Sequence, residues 1–530
     1  MKDKIHPALL VFLLSVGVFA FAVIYFIMAY GPGVSPDSTV YIGTARSLLA
    51  GCGFCFSGEP MTHYPPAYPL LLAAGSLFSS DLLQAARLLH AALYAANAIL
   101  FVLCVYICTR RNRTAAACAA LIYFSSKSIL VAHSMAWSEP PFIAFSLAAI
   151  LSVSLYVCAP PPRRTWLLLV ASGSLGLAVL TRYVGITLLP AVLLGLFLGS
   201  SPAKRKLGDS VIVVSAACIP IGIWLLRNSM VAHTPVNRDF AVHPAGLHHV
   251  GSLIRTLVDF VLPGPVPGWA RAVVFAGLVV LFLFALRVLH KRKYMAENRG
   301  SVGVVLPWLG ICFAFVYVAF IFVSISLIDA STPLDDRILL PVFVFLVLGL
   351  IPLVCSVSRA LRKPVIWRAV VLCIVLSVGI NSIRAVRAAV HIRLEGHGYN
   401  SRKWNGSPTV LLLKAVCNPH LRIYSNGPDV ISFMTGRDAL AIPRLWSPLS
   451  MRKNQDYEKQ LQAMCRECLD GGAVVVCFSD ESFRRCLWLP SAEQMDLSHR
   501  GIPVLKQTVD GAIYGRRGLN LTAVAPRSMP

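Results

Sequence analysis

Four ionisable side chains stand at the ends of apolar runs, where charge is costly and seldom idle: Asp37, Glu139, Arg182 and Arg337. A carboxylate in such a place can take a proton from a hydroxyl, and an arginine can hold two phosphate oxygens in one planar fork. Together they suit group transfer in which a phosphate departs and an oxygen nucleophile arrives. Asp37 follows an apolar run from Ala8 to Ala29, which at 1.5 Å per residue is long enough to cross a bilayer of roughly 30 Å. Glu139 opens another run in AWSEPPF, and Arg182 lies at a turn between two short ones. Asp335, Asp336 and Arg337 open a further run in STPLDDRILLP. The plainer reading is that these are interface charges, with an acid at a helix start complementing the dipole and Asp335 or Asp336 serving as a cap.

The elements that hold these groups are membrane spans. The 530 residues are 56% hydrophobic and only 14% charged, with a mean hydropathy of +0.69, against about 25% charged in a soluble domain. The chain therefore reads as an α-helical polytopic membrane protein. Eleven runs fit spans: 8–29, 82–109, 114–132, 138–158, 166–180, 184–199, 209–227, 270–290, 303–327, 338–356 and 366–387. Much of the net charge of +24 sits in short clusters between runs, at Arg110–Arg113, Arg163–Arg164, Lys204–Lys206, Lys291–Lys293 and Arg359–Lys363. Short Lys/Arg-rich connections mark the cytoplasmic side, so the charge sets orientation and does not imply a nucleic-acid partner. With Lys2 and Lys4 inside, every cluster falls inside. The four candidate residues and everything after 388 then fall on the outer face of a cell's inner membrane. The N-terminal apolar run exceeds the 7–15-residue core of a cleaved signal peptide, so it reads as a retained anchor.

This divides the chain into a transmembrane domain, 1–388, with a large first outer loop at 31–81, and a small extracytoplasmic α/β domain, 389–530. In the loop, Asp37 and Ser38 can cap a helix starting at Thr39, with Tyr41, Ala45, Leu48 and Leu49 at helical spacing. That helix is expected to lie in the interface. In the tail, 421–427, 439–443, 473–480 and 511–517 read as strands, and 428–436 and 454–472 as helices. No Gly-rich phosphate loop is present. Cys52, Cys55 and the five cysteines from Cys417 to Cys486 would face an oxidising compartment, and their pairing stays open. No cysteine spacing supports a zinc site.

One reaction uses all of these residue types. Moving a sugar from a polyprenyl phosphate needs a carboxylate, or a divalent ion held by Asp37 and Glu139, to activate an acceptor hydroxyl. It needs cations for the leaving phosphate, for which Arg182, Arg337 and Lys127 are the candidates. It also needs a groove for sugar and chain, for which Tyr41, His63, Tyr64, Pro65, Pro66 and Asp336 are placed. The Tyr–Pro run equally suits an aromatic belt and a helix start. The competing class is a transporter or flippase for a lipid-linked sugar. That would show repeated halves and charges near mid-bilayer, whereas here the acids gather on one face.

The motif D-S-x-x-Y-x-x-x-A-x-x-L-x-x-G (Asp37–Gly51), followed by Y-P-P-x-Y-P-L-L-L-A (Tyr64–Ala73), resembles the GT-C class of membrane glycosyltransferases. Within it the likeness is to the protein O-mannosyltransferase-like and aminoarabinose lipid A transferase-like branch. S-E-P-x-F (Ser138–Phe142), L-T-R-x-x-G (Leu180–Gly185), D-R-x-L-L-P (Asp336–Pro341) and S-N-G-P-D (Ser425–Asp429) extend it. The resemblance implies a polyprenyl-phosphate sugar donor and an extracytoplasmic acceptor. It maps the presumed base onto Asp37 and the second outer acid onto Glu139. Protein O-mannosyltransferases carry adjacent acids in the first loop, whereas Ser38 follows Asp37 here, so the acceptor stays open among envelope lipid, glycan and protein.

Overall fold

The computed structural model describes residues 7–199, 201–238, 240–262, 264, 266–291, 301–415, 421–447, 451–484 and 488–519. The expectations for Lys2, Lys4, Arg292, Lys293, Cys417 and Cys486 lie outside these. In chain order, α1 (Pro7–Ile27) leads into the first loop with α2 (Pro36–Leu49), a short hairpin of β1 (Cys55–Phe56) and β2 (Glu59–Pro60), and α3 (Ala67–Gly75). Then follow α4 (Leu82–Cys108), α5 (Arg113–Ser125), α6 (Lys127–Ser134), α7 (Glu139–Cys158), α8 (Pro161–Thr181), α9 (Leu188–Leu198), α10 (Ala203–Ala232), α11 (Leu247–Asp259), α12 (Gly268–Lys291), α13 (Val302–Leu327), α14 (Leu340–Ala360) and α15 (Pro364–Glu395). Among the described residues, nine helices are long and apolar enough to cross a membrane, or ten if the bent pair α5–α6 counts as one span.

The differences from the expected spans have local causes. The run 114–132 bends by 60° because Ser126 is extended, and its Oγ accepts from the Ile129 amide at 3.3 Å, starting a new helix. The run 166–180 is part of full-length α8. The run 184–199 becomes a 3₁₀ turn, Tyr183–Thr187, and short α9 after Arg182 turns extended. A Cβ at Gly185 would stand 2.5 Å from the Ala178 carbonyl oxygen, so the turn folds back on α8 only with glycine. The last span, α15, runs on to Glu395, past the expected boundary at 388.

Ile24, Phe101, Tyr123, Phe142, Leu175, Phe313 and Phe345 share one core across α1, α4, α5, α7, α8, α13 and α14. Ile219, Ile223 and Leu226 of α10 and Leu372, Leu376 and Ile383 of α15 point outward with large exposed areas, as suits helices bathed in hydrocarbon. Helix α2 buries one face and leaves Arg46 and Leu49 exposed. Its Tyr41, Ile42 and Ala45 are buried with Tyr68 and Leu72 of α3 and Ala86 of α4.

The tail continues through α16 (Arg402–Asn405) and α17 (Pro408–Ala415) to a five-stranded sheet of β3 (Arg422–Ser425), β4 (Leu440–Ala441), β5 (Ala473–Phe478), β6 (Val504–Gln507) and β7 (Gly511–Tyr514). The strand order is β4-β3-β5-β7-β6, parallel between β4, β3 and β5 and antiparallel beyond. Helices α18 (Pro428–Thr435) and α19 (Tyr457–Leu469) cover opposite faces. The alternation of β5 explains this: Val474 and Val476 pack toward Val430 and Ile431, and Val475 packs toward Leu461 and Met464. Cys52, Cys55, Cys465, Cys468 and Cys477 are all unpaired.

The tail is joined to the first loop through main-chain bonds. Gly33 and Val34 form parallel bridges to Met135 and Gly398 respectively. The Tyr399 amide donates to the Val34 carbonyl at 2.7 Å, and the Gly33 amide to the Ser134 carbonyl at 2.8 Å. Gly398 has φ +57° and lies so close to the Val34 carbonyl that a side chain there would clash.

Candidate active site

Helix α2 begins one turn earlier than its sequence suggests. Ser35 is the cap, its Oγ accepting from the Ser38 amide at 3.5 Å, with Pro36 at the first position. Asp37 is thereby released from capping and turns inward. Its Oδ1 accepts from the Tyr64 hydroxyl at 2.8 Å, and its Oδ2 from Arg337 Nη2 at 2.6 Å. Glu139, at the first position of α7, is only 1% exposed. Its Oε1 accepts from Arg337 Nε and from Arg182 Nη1, each at 2.6 Å. Its Oε2 has no hydrogen-bond partner among the described residues. Arg337 thus bridges two acids from distant parts of the chain, Asp37 and Glu139.

Neighbouring groups fix this geometry. Arg337 lies over the Trp137 ring, 4.2 Å from its centroid, while the Trp137 indole N–H donates to Ser35 Oγ at 2.9 Å. Asp335 Oδ1 accepts from the Arg337 and Ile338 amides at 3.1 and 2.9 Å, so it is the capping acid of the pair. Arg182 Nη1 also donates to Ser138 Oγ at 3.1 Å, and the Tyr41 hydroxyl lies 3.3 Å from that same oxygen. Tyr41 packs against Tyr64 and Tyr68 with ring centroids 4.8 and 4.9 Å apart. Tyr68 is anchored from beneath, its hydroxyl 2.6 Å from His90 Nε2.

Not every sequence candidate joins this cluster. His63 stacks edge-on against Tyr64 at 4.7 Å and accepts from Arg238 Nη2 at 3.4 Å. Pro65 and Pro66 are buried and lead into α3. Asp336 turns away and accepts from Ser128 Oγ at 2.8 Å on the exposed rim. Lys127 is exposed at the start of α6, and its charge acts on His397. Sequence reasoning missed Ser35, Trp137, Ser138 and Arg238. Trp137 and Ser138 flank Glu139 in AWSEPPF, so that motif held the signal, whereas nothing local marks Arg238.

The electrostatics follow from this wiring. Burial pushes the Asp37 carboxyl up, but the Arg337 guanidinium and the Tyr64 hydroxyl outweigh it and hold the group below its ordinary value. Burial pushes the Tyr64 hydroxyl well above its ordinary range, with the Asp37 charge adding to it, so Tyr64 remains a donor. Burial and Arg238 together push His63 down, keeping it neutral. Two carboxylates face two guanidiniums. Arg337 occupies one oxygen of each carboxylate, Asp37 Oδ2 and Glu139 Oε1. Among the described residues, no group of three or more His, Cys, Asp or Glu could hold a metal.

Comparison with known proteins agrees with this architecture. The family model for dolichyl-phosphate-mannose-protein mannosyltransferase matches residues 49–228, which include Glu139 and Arg182. No curated protein matches the sequence. Among solved structures, ArnT from Cupriavidus metallidurans in the apo state aligns at 14% identity with a TM-score of 0.58, covering 96% of this chain and 98% of that one. The same enzyme bound to undecaprenyl phosphate aligns at 14% identity with a TM-score of 0.54, covering 96% and 99%. The chain is a multi-pass membrane protein with the fold of the GT-C glycosyltransferases.

Proposed function

We propose that the protein is a glycosyltransferase that moves a sugar from a polyprenyl-phosphate carrier to an acceptor at the outer membrane face. The transmembrane region 1–388 carries the chemistry and 389–530 forms an outer domain. The observation that carries this reading is Arg337, which joins Asp37 and Glu139 at 2.6 Å each. Two carboxylates and two guanidiniums in one cluster support a base and phosphate-binding cations acting together. The family model over 49–228 and the ArnT structure bound to undecaprenyl phosphate support the choice of donor.

In this reading Arg337 and Arg182 hold the carrier phosphate, and Glu139 keeps both guanidiniums aimed. Asp37 accepts the acceptor's hydroxyl proton as the new bond from that oxygen to the anomeric carbon forms. The bond from the anomeric carbon to the phosphate oxygen breaks, and the departing phosphate gains the charge that the arginines stabilise. Tyr64 orients the Asp37 carboxylate through its hydrogen bond. Tyr41, His63, Pro65 and Pro66 line the approach, while Lys127 and Asp336 stand on the outer rim. The sugar, hexose or pentose, and the topology with the N-terminus cytoplasmic belong to the same proposal.

The deciding experiment uses Asp37→Asn in membranes supplied with polyprenyl-phosphate sugars. Transfer is expected to fall by about 10²–10⁴-fold, with binding of undecaprenyl phosphate retained. Transfer at the parent rate would overturn the assignment of the base.

A further inference from the structure

Asn97 lies in the middle of α4 and is fully buried, at 0% exposure. An amide among apolar helices costs free energy unless its hydrogens find acceptors. Its Nδ2 has two, the Pro140 carbonyl at 2.9 Å and His133 Nε2 at 2.9 Å. The second partner is fixed in turn. His133 Nδ1 lies 2.7 Å from the Ile129 carbonyl, which can only accept, so Nδ1 carries the ring hydrogen. In the neutral ring Nε2 is then the acceptor, and Asn97 donates one hydrogen to each neighbour. The rings of Tyr94 and Tyr123 pack against this imidazole, with centroids 5.0 and 6.3 Å away.

Both partners adjoin the site. Pro140 follows Glu139 directly at the start of α7. A helix cap bonds the amide of the second or third helical residue, and in α7 both are proline, with no amide hydrogen to offer. Ser138, at the cap position, accordingly makes no such bond. The start of α7 is instead held through its Pro140 carbonyl, from α4. His133 precedes 134–136, the stretch whose main chain grips Gly33, and α2 with Asp37 begins at Pro36.

We infer that Asn97 and His133 are positioning residues, one strut that sets Glu139 and Asp37 relative to each other. The inference rests on the glycosyl-transfer reading. Through Pro140 the strut holds the acid that aims both guanidiniums. Through α6 it holds the segment that feeds the base. With the strut cut, the arginines follow Glu139 and keep the carrier phosphate, while Asp37 loses its register against the anomeric carbon. A misplacement on the order of 1 Å lowers a rate by up to about 10²-fold. A bond that served only to pack helices would show in stability and leave the rate alone.

The test uses the full chain in native membranes, which bring their own acceptors, supplied with a panel of undecaprenyl-phosphate hexoses and pentoses. Asn97→Leu is expected to lower the transfer rate at saturating donor about 10- to 100-fold. Its Kd for undecaprenyl phosphate should stay within about twofold of the parent, and its thermal midpoint in detergent within about 3 °C. His133→Leu removes the acceptor and should match it. His133→Gln puts an amide oxygen where Nε2 stood and should return the rate to within about threefold of the parent. Because the two residues form one strut, the double leucine variant should be no slower than the slower single. If Asn97→Leu does not fold, the His133 pair decides. A parental rate in either leucine variant, an equal loss in His133→Gln and His133→Leu, or additive losses in the double variant overturns the inference. So does unfolding of both leucine variants, or a loss of carrier binding that matches the loss of rate. Each of these leaves glycosyl transfer standing. A parent that binds carrier and transfers no sugar overturns the functional reading, and the inference with it.

Discussion

Asp336 and Arg337 are adjacent in sequence, yet they serve two helix starts of different character. Asp336 reaches Ser128 at the exposed start of α6, while Arg337 reaches Glu139 at the buried start of α7. Both contacts are short, and both lie at the same edge of the helical bundle. The difference is water. A charge 1% exposed has lost its solvation and depends on its partners, whereas an exposed contact is screened and replaceable. Chemistry concentrates where the charges cannot be satisfied by solvent.

The comparison can be broken first at Glu139. Glu139→Gln removes the anion shared by two guanidiniums and is expected to lower stability by about 3–5 kcal/mol, read as the thermal unfolding midpoint in detergent. A loss below about 1 kcal/mol would show the buried start to be no different from the exposed one. Arg337→Lys keeps the charge but loses the fork, and should weaken undecaprenyl phosphate binding about tenfold by titration. Tyr64→Phe removes the hydroxyl bonded to Asp37 and should reduce transfer several-fold. It also sharpens the pH dependence. Asp37 is depressed below its ordinary value of 3.8, so its stabilisation is present at neutral pH and lost as pH falls through that depressed value. The Asp37 contribution to thermal midpoints should therefore be full and unchanging between pH 7 and 5, and the acid limb should move to higher pH in Tyr64→Phe. Asp336→Asn should change transfer by less than twofold and stability by less than about 0.5 kcal/mol. A larger loss would place the rim inside the working site.

Hydropathy made most spans legible, and charge at their ends marked Asp37, Glu139, Arg182 and Arg337. Their convergence was not legible, because spacing along a chain says which ends share a face and not which ends meet. The bend at Ser126 was hidden, since an apolar run stays apolar whether or not one hydroxyl restarts the helix. The early start of α2 was missed because Ser35 competes with two equally good caps, and only the inward demand on Asp37 decides among them. Strand β6 gave no pattern: it lies at the sheet edge with Val504, Lys506 and Gln507 exposed, so nothing enforces alternation.

Residues 33 and 34 are clasped from both flanks, by 134–136 on one side and 398–399 on the other. Any swing of the C-terminal part away from the bundle would tear main-chain bonds out of the segment that feeds α2, and would carry Asp37 off its partners. The outer part and the first loop therefore behave as a single casting, and pivoting has to occur elsewhere. A chimera that borrows this outer part from another protein would need to import the matching stretch around 31–36 with it, or lose the reacting carboxylate's alignment along with the graft.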